Sequence, residues 1–432
     1  LMTEKNTAQP GNILDFTITG ESGKSADFSA AVVDYKYYES ILGNSITAVA
    51  TIVETGNGPD DKGQLDSLPV RGGEECSIKI EDNQGGSLEV PLLVDTVTAA
   101  TPGTQVDTYF MSFCTEEQFT NNSERVNKRY EGKISEHVSS IMSDILQTKN
   151  EVDVDETSLE YNFNGNRRKP FYVCTWLASK AVPSKGIGGA AGFLFFQTRE
   201  GFKFKSIDTL FGEGKAEKKF IFNNTGNKPE GKDANVLNYV IQSDTEMAKN
   251  LQLGTYSNRT VFFDFLAMNY RVVDFGIEDQ EGKVETAGQK GKKYNFCNPK
   301  YTQKTKPTRT MTNILDIGVN PKGTGEQQLS GWEDEVDEGN FKAEKTQVQT
   351  IMRYNQLFTV AIQIIIAGDF SIKAGDLVEC DFPELSKGNP DQVNKETGGI
   401  YMVAHVCHRM TPNGCFSSLG LVRDSYGKKG GF

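Results

Sequence analysis

Any chemistry in this chain that needs a ring nitrogen must run through three histidines, His137, His405 and His408. His405, Cys407, His408 and Cys415 form the densest group of metal-ligating types. On an extended strand, however, His405 and Cys407 project from one face and His408 from the other, so the three do not converge on one tetrahedral ion. The group reads as ordinary strand packing. His137 lies among Ile134, Val138, Ile141, Met142, Ile145 and Leu146, which recur at helical spacing, and reads as a surface or boundary histidine of an amphipathic helix rather than a general base. The glycine-rich run 186–192 follows a helix pattern and precedes a strand pattern, the reverse of the strand-turn-helix order that a dinucleotide loop needs. The sequence has no phosphate-loop lysine motif and no nucleophile-elbow serine. Asp60-Asp61 and Asp153, Asp155, Glu156 are calcium-compatible in type but read as solvated loops. Arg167-Arg168-Lys169 and Lys290-Gly291-Lys292-Lys293 are basic clusters, read as solvated loops or, more sharply, as docking patches for an acidic neighbour. These residues support no catalytic, cofactor-binding or metal-ligating assignment, and the chain is expected not to be an enzyme.

The elements that would position such residues carry the stronger message, because one β pattern is written twice about three hundred residues apart. Gly73 and Glu74 lead into Cys76, Ile78 and Ile80, alternating with polar residues; Gly375 and Asp376 lead into Val378, Cys380 and Phe382 in the same way. Period-two alternation after a turn marks a half-buried strand. A second apolar run follows in each copy, Leu92, Leu93, Val94 and Val97 in one and Tyr401, Met402, Val403 and Val406 in the other. Each run stops at a similar turn, Thr101-Pro102-Gly103 or Thr411-Pro412-Asn413-Gly414, and a last strand follows, 106–114 or 415–422. Lead-in strands 46–53 and 360–366 correspond as well. Gly73, Gly375, Asp376 and Gly399 are the structural turn positions expected to fix the two modules.

With 432 residues the chain exceeds one ordinary core. Its 43 glycines and 10% aromatic content favour a turn-rich β protein over a helical bundle. A net charge of -12 argues against sequence-independent binding to nucleic acid or anionic lipid, and no run is long enough to cross a bilayer. Most of the seven cysteines sit inside apolar strand patterns, as buried reduced thiols would.

The expected fold class is α+β, mainly β: two similar antiparallel tube-like β-barrel domains, an α+β middle domain and an extended insertion. The domains are read as 1–118, an N-terminal arm with the first barrel; 119–225, the middle domain; 226–275 with 341–432, the second barrel; and 276–340, an extended loop insertion ordered mainly by partners. The arm, 1–30, is polar and expected to be loosely held and to become ordered against a neighbour. In the middle domain, helices are predicted over 134–146 and 170–182, then a hairpin of 193–198 and 202–207. Further on, a strand is predicted over 235–242, a short helix over 244–251, a strand over 260–268 and a helix over 343–358.

Pro170-Phe171, Trp176-Leu177-Ala178, Gly192-Phe193-Leu194-Phe195-Phe196 and Gly201-Phe202-Lys203-Phe204-Lys205-Ser206-Ile207 resemble the middle domain of contractile-tailed (myovirus) phage baseplate central hub proteins. Tyr354-Asn355, Gly368-Asp369-Phe370, Ala374-Gly375-Asp376 and Gly399-Ile400-Tyr401-Met402-Val403 are similar to the C-terminal barrel of that family. With the first module the resemblance covers most of the chain. It implies a structural virion protein of the tail baseplate, assembled in the host cytoplasm: a homotrimer whose six barrels match a threefold central spike to a sixfold tail tube and line the central channel. The implied partners are the spike, tail tube or tube-initiator proteins and baseplate wedge proteins. Genome DNA would pass without specific binding, and no membrane or cofactor is involved. Residues 31–55 and 355–370 are the expected tube-facing or intersubunit strands. Two other readings stand beside this one. A carbohydrate-active or cell-wall-degrading β enzyme would show two convergent carboxylates in a pocket. The spike protein of a related contractile injection system would continue into a long repetitive β-helix.

Overall fold

Alternation decides the first module. Phe16 and Ile18, Tyr35 and Tyr37, Ala48, Ala50 and Ile52, Cys76, Ile78 and Ile80, and Met111 and Phe113 all point into one core, with polar neighbours between them facing out. The computed structural model describes residues 8–55, 63–68, 70–101, 106–158, 160–185, 190–212, 215–216, 218–222, 234–243, 246–265, 268–280, 284–287, 299–316, 318–320, 323, 326–327, 343–384, 394 and 397–426. The first module comprises β1 (Asn12–Thr19), β2 (Ser25–Asp27), β3 (Val32–Ser40), β4 (Thr47–Glu54), a short helix α1 (Gln64–Ser67), β5 (Glu75–Glu81), β6 (Ser87–Thr101) and β7 (Asp107–Cys114). Its strands lie in the order β3-β4-β7-β6-β5-β1-β2. The N-terminal arm is a correction to the sequence reading. Residues 12–19 form a strand along the whole of β5, with Phe16 opposite Ile78 and Ile18 opposite Cys76. Two inward side chains, Phe16 and Ile18, are enough to anchor it within a mostly polar stretch.

In the middle region, α2 (Glu116–Ser123), β8 (Arg129–Tyr130), α3 (Ile134–Asp144), β9 (Val152–Val154), β10 (Phe163–Asn164), α4 (Pro170–Ala178), β11 (Phe193–Thr198), β12 (Gly201–Ser206) and α5 (Ile207–Gly212) follow one another. Both α3 and α4 pack apolar faces on the sheet β11-β12-β9. Pro170 opens α4 where a missing N–H costs nothing. The residues read as a solvated acidic loop are a further correction. Val152–Val154 is a parallel strand beside β12, and Lys205 Nζ lies 2.5 Å from Asp153 and 3.0 Å from Asp155.

The second module contains β13 (Lys218–Ile221), β14 (Ala234–Ser243) and, after a long detour, β18 (Val360–Ala367), β19 (Leu377–Asp381), β20 (Gly399–Thr411) and β21 (Gly414–Arg423). The detour holds α6 (Met247–Leu253), β15 (Ser257–Asp264), β16 (Asn269–Gly276), β17 (Arg309–Ile314) and α7 (Ala343–Leu357). Strand order β19-β13-β14-β18-β21-β20, with β20 pairing back to β19, closes a six-stranded barrel around Ile362, Ile364, Tyr401, Val403, Leu419 and Leu421. β13, which the sequence reading grouped with the middle domain, enters this barrel parallel to both of its neighbours. β15 and β16, grouped with the barrel, instead form a separate sheet with β17. β17 belongs to the expected loop insertion, which therefore contributes a parallel strand; Thr310, Met311 and Thr312 match Arg259, Thr260 and Val261. Among the described residues no helix is long and apolar enough to cross a membrane.

Candidate assembly interface

Hydrogen bonds at the two glycine turns repeat each other. Gly73 N donates to Val94 O (2.7 Å) and Val94 N to Glu74 O (2.9 Å); Gly375 N donates to Val403 O (2.8 Å) and Val403 N to Asp376 O (2.9 Å). Both glycines have a positive φ, +93° and +90°, where a Cβ is strained. Each following carboxylate closes its own turn. Glu74 accepts the backbone N–H groups of Arg71 (2.6 Å) and Gly72 (2.8 Å), and Asp376 accepts that of Lys373 (2.9 Å). Burial is the leading influence on Asp376 and holds its carboxyl above the ordinary value. Gly399, at φ +132°, starts β20 opposite Cys380.

Strand irregularities repeat too. β3 shifts register between Val32 and Asp34, and β14 between Val236 and Asn238. β6 shifts between Val94 and Thr96, and β20 between Val403 and His405. Bulges placed alike in two copies of a sheet fix the same twist in each. The correspondence is therefore strand for strand: β3 with β14, β4 with β18, β7 with β21, β6 with β20 and β5 with β19. β1 and β13 occupy the same place but run in opposite directions.

The modules meet edge to edge. β20 pairs with β19 through its first residues and then leaves it, so that His405 to Met410 pair antiparallel with Ser40 to Tyr35 of β3. Both modules thus belong to one thirteen-stranded sheet. On the outer face, Arg409 makes a paired contact with Asp34, at 2.9 and 3.2 Å. On the inner face, the His408 ring stacks on Tyr37 at 6.1 Å. Ser417 Oγ lies 2.8 Å from His408 Nδ1 and Ile372 O lies 3.0 Å from Nε2, and burial lowers the imidazole pKa to about 4. His405 and Cys407 face the other side, with the His405 ring lying over Gly420. Among the described residues no three His, Cys, Asp or Glu side chains are grouped to hold a metal ion.

Glu39 is the residue that sequence reading missed. Buried at the end of β3, it accepts Tyr37 Oη (2.7 Å), Arg199 N (2.9 Å) and Ala374 N (2.9 Å). Burial outweighs these bonds and raises its carboxyl pKa. Arg199, from the β11–β12 turn, gives its guanidinium to the carbonyls of Phe370 and Ser371, and Asp82 accepts Phe370 N (2.8 Å). First module, middle domain and second module are locked at this point. Little near Glu39 in sequence marks it, because two of its three partners come from about 160 and 335 residues away.

Other candidates resolve as structure. His137 is buried rather than at a boundary, with Nε2 2.9 Å from Tyr161 O and its ring edge-on to Tyr130. The Arg168 guanidinium lies over the Tyr172 ring at 5.4 Å, and Lys169 donates to Asn122 Oδ1 (2.7 Å). Asp60-Asp61, residues 186–189, residues 290–293 and the turn 102–103 lie outside the described residues. A groove of about 540 Å³ between the first module and α2 is lined by Glu75, Glu89, Glu116 and Glu117. Three of these carboxylates already have partners: Glu89 has Lys79 (2.9 Å), Glu116 has Lys149 (3.8 Å), and Glu117 has Thr148 and Asn150 (2.6 and 2.7 Å).

No family model and no curated protein matches the chain. Solved structures do. The tail protein from Neisseria meningitidis superposes with a TM-score of 0.55 at 10% identity, over 95% of this chain and 96% of that one. The 43 kDa tail protein of prophage MuSo2 from Shewanella oneidensis gives 0.53 at 10% identity, over 95% and 98%. The chain therefore has the fold of phage tail proteins, end to end, as its resemblance to baseplate hubs implied.

Proposed function

We propose that the chain is a structural hub subunit of a phage tail baseplate, a homotrimer whose two modules per copy build a ring of six around a central channel, between a threefold spike and a sixfold tube. The ladder between β20 and β3 carries this reading. It sets two equivalent modules side by side in one sheet, with four strands from each in the same order: β14, β18, β21 and β20, then β3, β4, β7 and β6. A head-to-tail contact of that kind generates a ring when its rotation closes, and three copies supply six modules. The outer face of these eight strands is the channel wall. Along it Lys36 and Arg409 stand against Asp34 and Asp95, among Thr47, Thr51, Thr96, Ser112, Gln363 and Ser418. A wall balanced in charge gives DNA phosphates no row of cations to neutralise them. This refines the expectation that the overall acidity keeps DNA from sticking. The work is shape and assembly, without catalysis, in the virion tail. Native mass measurement over a concentration series, with averaged end-on electron micrographs, tests the reading. A trimer with six lobes and a central hole supports it, and a monomer at every concentration, with and without added spike and tube proteins, overturns it.

A further inference from the structure

Two half-strands have no ladder partner on one side among the described residues: β6 beyond Val94 and β14 beyond Asn235. They are the counterparts of the two half-strands that pair inside the chain, β20 beyond Val403 and β3. Resting on the trimer reading, we infer that these free edges pair between copies in the register of the internal junction. The first bulges then set Ala99 opposite Ile241 of the next copy, where His408 faces Tyr37 within the chain, and a further bulge in β6 between Ala99 and Thr101 puts Thr101 in the place of Arg409, opposite Val240. The occupant is a second copy because exposure differs at matched positions. Tyr37 is 0% exposed, whereas Ile241 at the same place in the repeat is 45% exposed and Val240 beside it 54%. An unpaired strand edge with apolar side chains is an aggregation hazard unless covered, and β6 of the neighbour covers it.

The chemistry of the two junctions differs. Asp34 and Arg409 of the internal junction become Asn238 and Thr101 between copies, so the intermolecular seam has no counterpart of that ion pair. Assembly through it is expected to be insensitive to salt, with the half-assembly concentration changing less than about twofold between low and molar ionic strength.

Cysteine pairs test the register. Facing residues of an antiparallel pair have Cα atoms about 4.5–5.5 Å apart, within disulfide reach. In a Cys407→Ser background, Ala99→Cys with Ile241→Cys should give a covalent trimer on oxidation, seen on a non-reducing denaturing gel, while either single substitution and the offset pair Ala99→Cys with Asn238→Cys should not. Ile241→Lys, at a position 45% exposed in the single chain but matched to the buried Tyr37 of the internal junction, should raise the half-assembly concentration about tenfold or more. A native trimer that cross-links through the offset pair, or through neither pair, overturns this register and leaves the hub reading standing. Unchanged assembly of Ile241→Lys does the same. A chain that never trimerises overturns the hub reading itself.

Discussion

Arg353 is fully buried on α7, and its guanidinium joins Asp424 (2.5 Å), Asp208 (3.0 Å) and the Glu285 carbonyl. Through those three bonds α7 holds the end of the second barrel, α5 of the middle region and the segment 284–287 together. Asp208 also accepts Glu285 N (3.3 Å), and Asp424 accepts Ala287 N (2.9 Å). Burial raises the Asp208 carboxyl to about 6, despite the opposing pull of Arg353. Replacing Arg353 by Met leaves two buried carboxylates with no cation between them, a loss of about 3–5 kcal/mol near pH 7.5. The sign of the pH dependence follows from Asp208. Its folded-state pKa lies above the unfolded value of 3.8, so the folded chain binds the proton more tightly, and ionising the group costs stability as pH rises toward about 6. In the variant a bound proton removes one of the uncompensated charges. Loss of the cation raises the Asp208 pKa further, so the variant takes up this proton at a higher pH than the wild type and its deficit should shrink between pH 7.5 and 5.5. Urea unfolding of both proteins at the two pH values measures this. A deficit below about 1 kcal/mol at pH 7.5, or one of equal size at both pH values, would refute the reasoning. Adding Asp208→Asn and Asp424→Asn to the variant should recover part of the loss, since the buried charges are then gone.

The other expectations concern the turns and the junction. Gly375→Ala should cost more than Gly73→Ala: both need a positive φ, worth about 1–2 kcal/mol, but a Cβ at Gly375 lies 3.0 Å from the Phe196 ring whereas at Gly73 nothing lies within 4 Å. Equal melting-temperature drops would count against that packing difference. Gly420→Ala should destabilise because its Cβ would collide with the His405 ring, and adding His405→Ala should restore most of the loss; a second substitution with no effect in chemical denaturation would disprove the clash. His408 is held neutral with a pKa of about 4 against 6.5 unfolded. The unfolded chain therefore binds more protons between those values, and stability falls by about 3 kcal/mol as pH drops from 6.5 to 4. His408→Gln, which keeps a donor and an acceptor, should remove that slope, and an unaltered slope in pH-dependent unfolding would assign it to other groups. Asp34→Ala should change stability by less than about 1 kcal/mol, since its partner Arg409 is half exposed; a larger loss would show that the ion pair, rather than backbone pairing and the Glu39 cluster, holds the modules together.

By itself the sequence determined what neighbouring residues can write. Alternating Cys76, Ile78 and Ile80, the helical spacing from Ile134 to Leu146, Pro170 at a helix start and Gly375 before a strand all specify local elements, and those elements stand where they were read. The repeat was legible for the same reason, since two copies of a local pattern can be compared without knowing where either one packs. Tertiary structure decided the rest. Lys218–Ile221 is four residues long with one fully buried side chain, Phe220, too short for alternation to show, and its place between β19 and β14 depends on strands far along the chain. β17 was hidden because its two apolar residues, Met311 and Ile314, break the two-residue period, and β1 because it lies in a mostly polar stretch. Partner choice was beyond reach for a more basic reason. A backbone edge carries the same N–H and C=O groups in every strand, so nothing in residues 405–410 says that they bind residues 35–40 across more than three hundred residues. Only the packing of both modules, with Glu39 and Arg199 locked between them, selects that pairing, and the pairing makes one continuous sheet of the two modules.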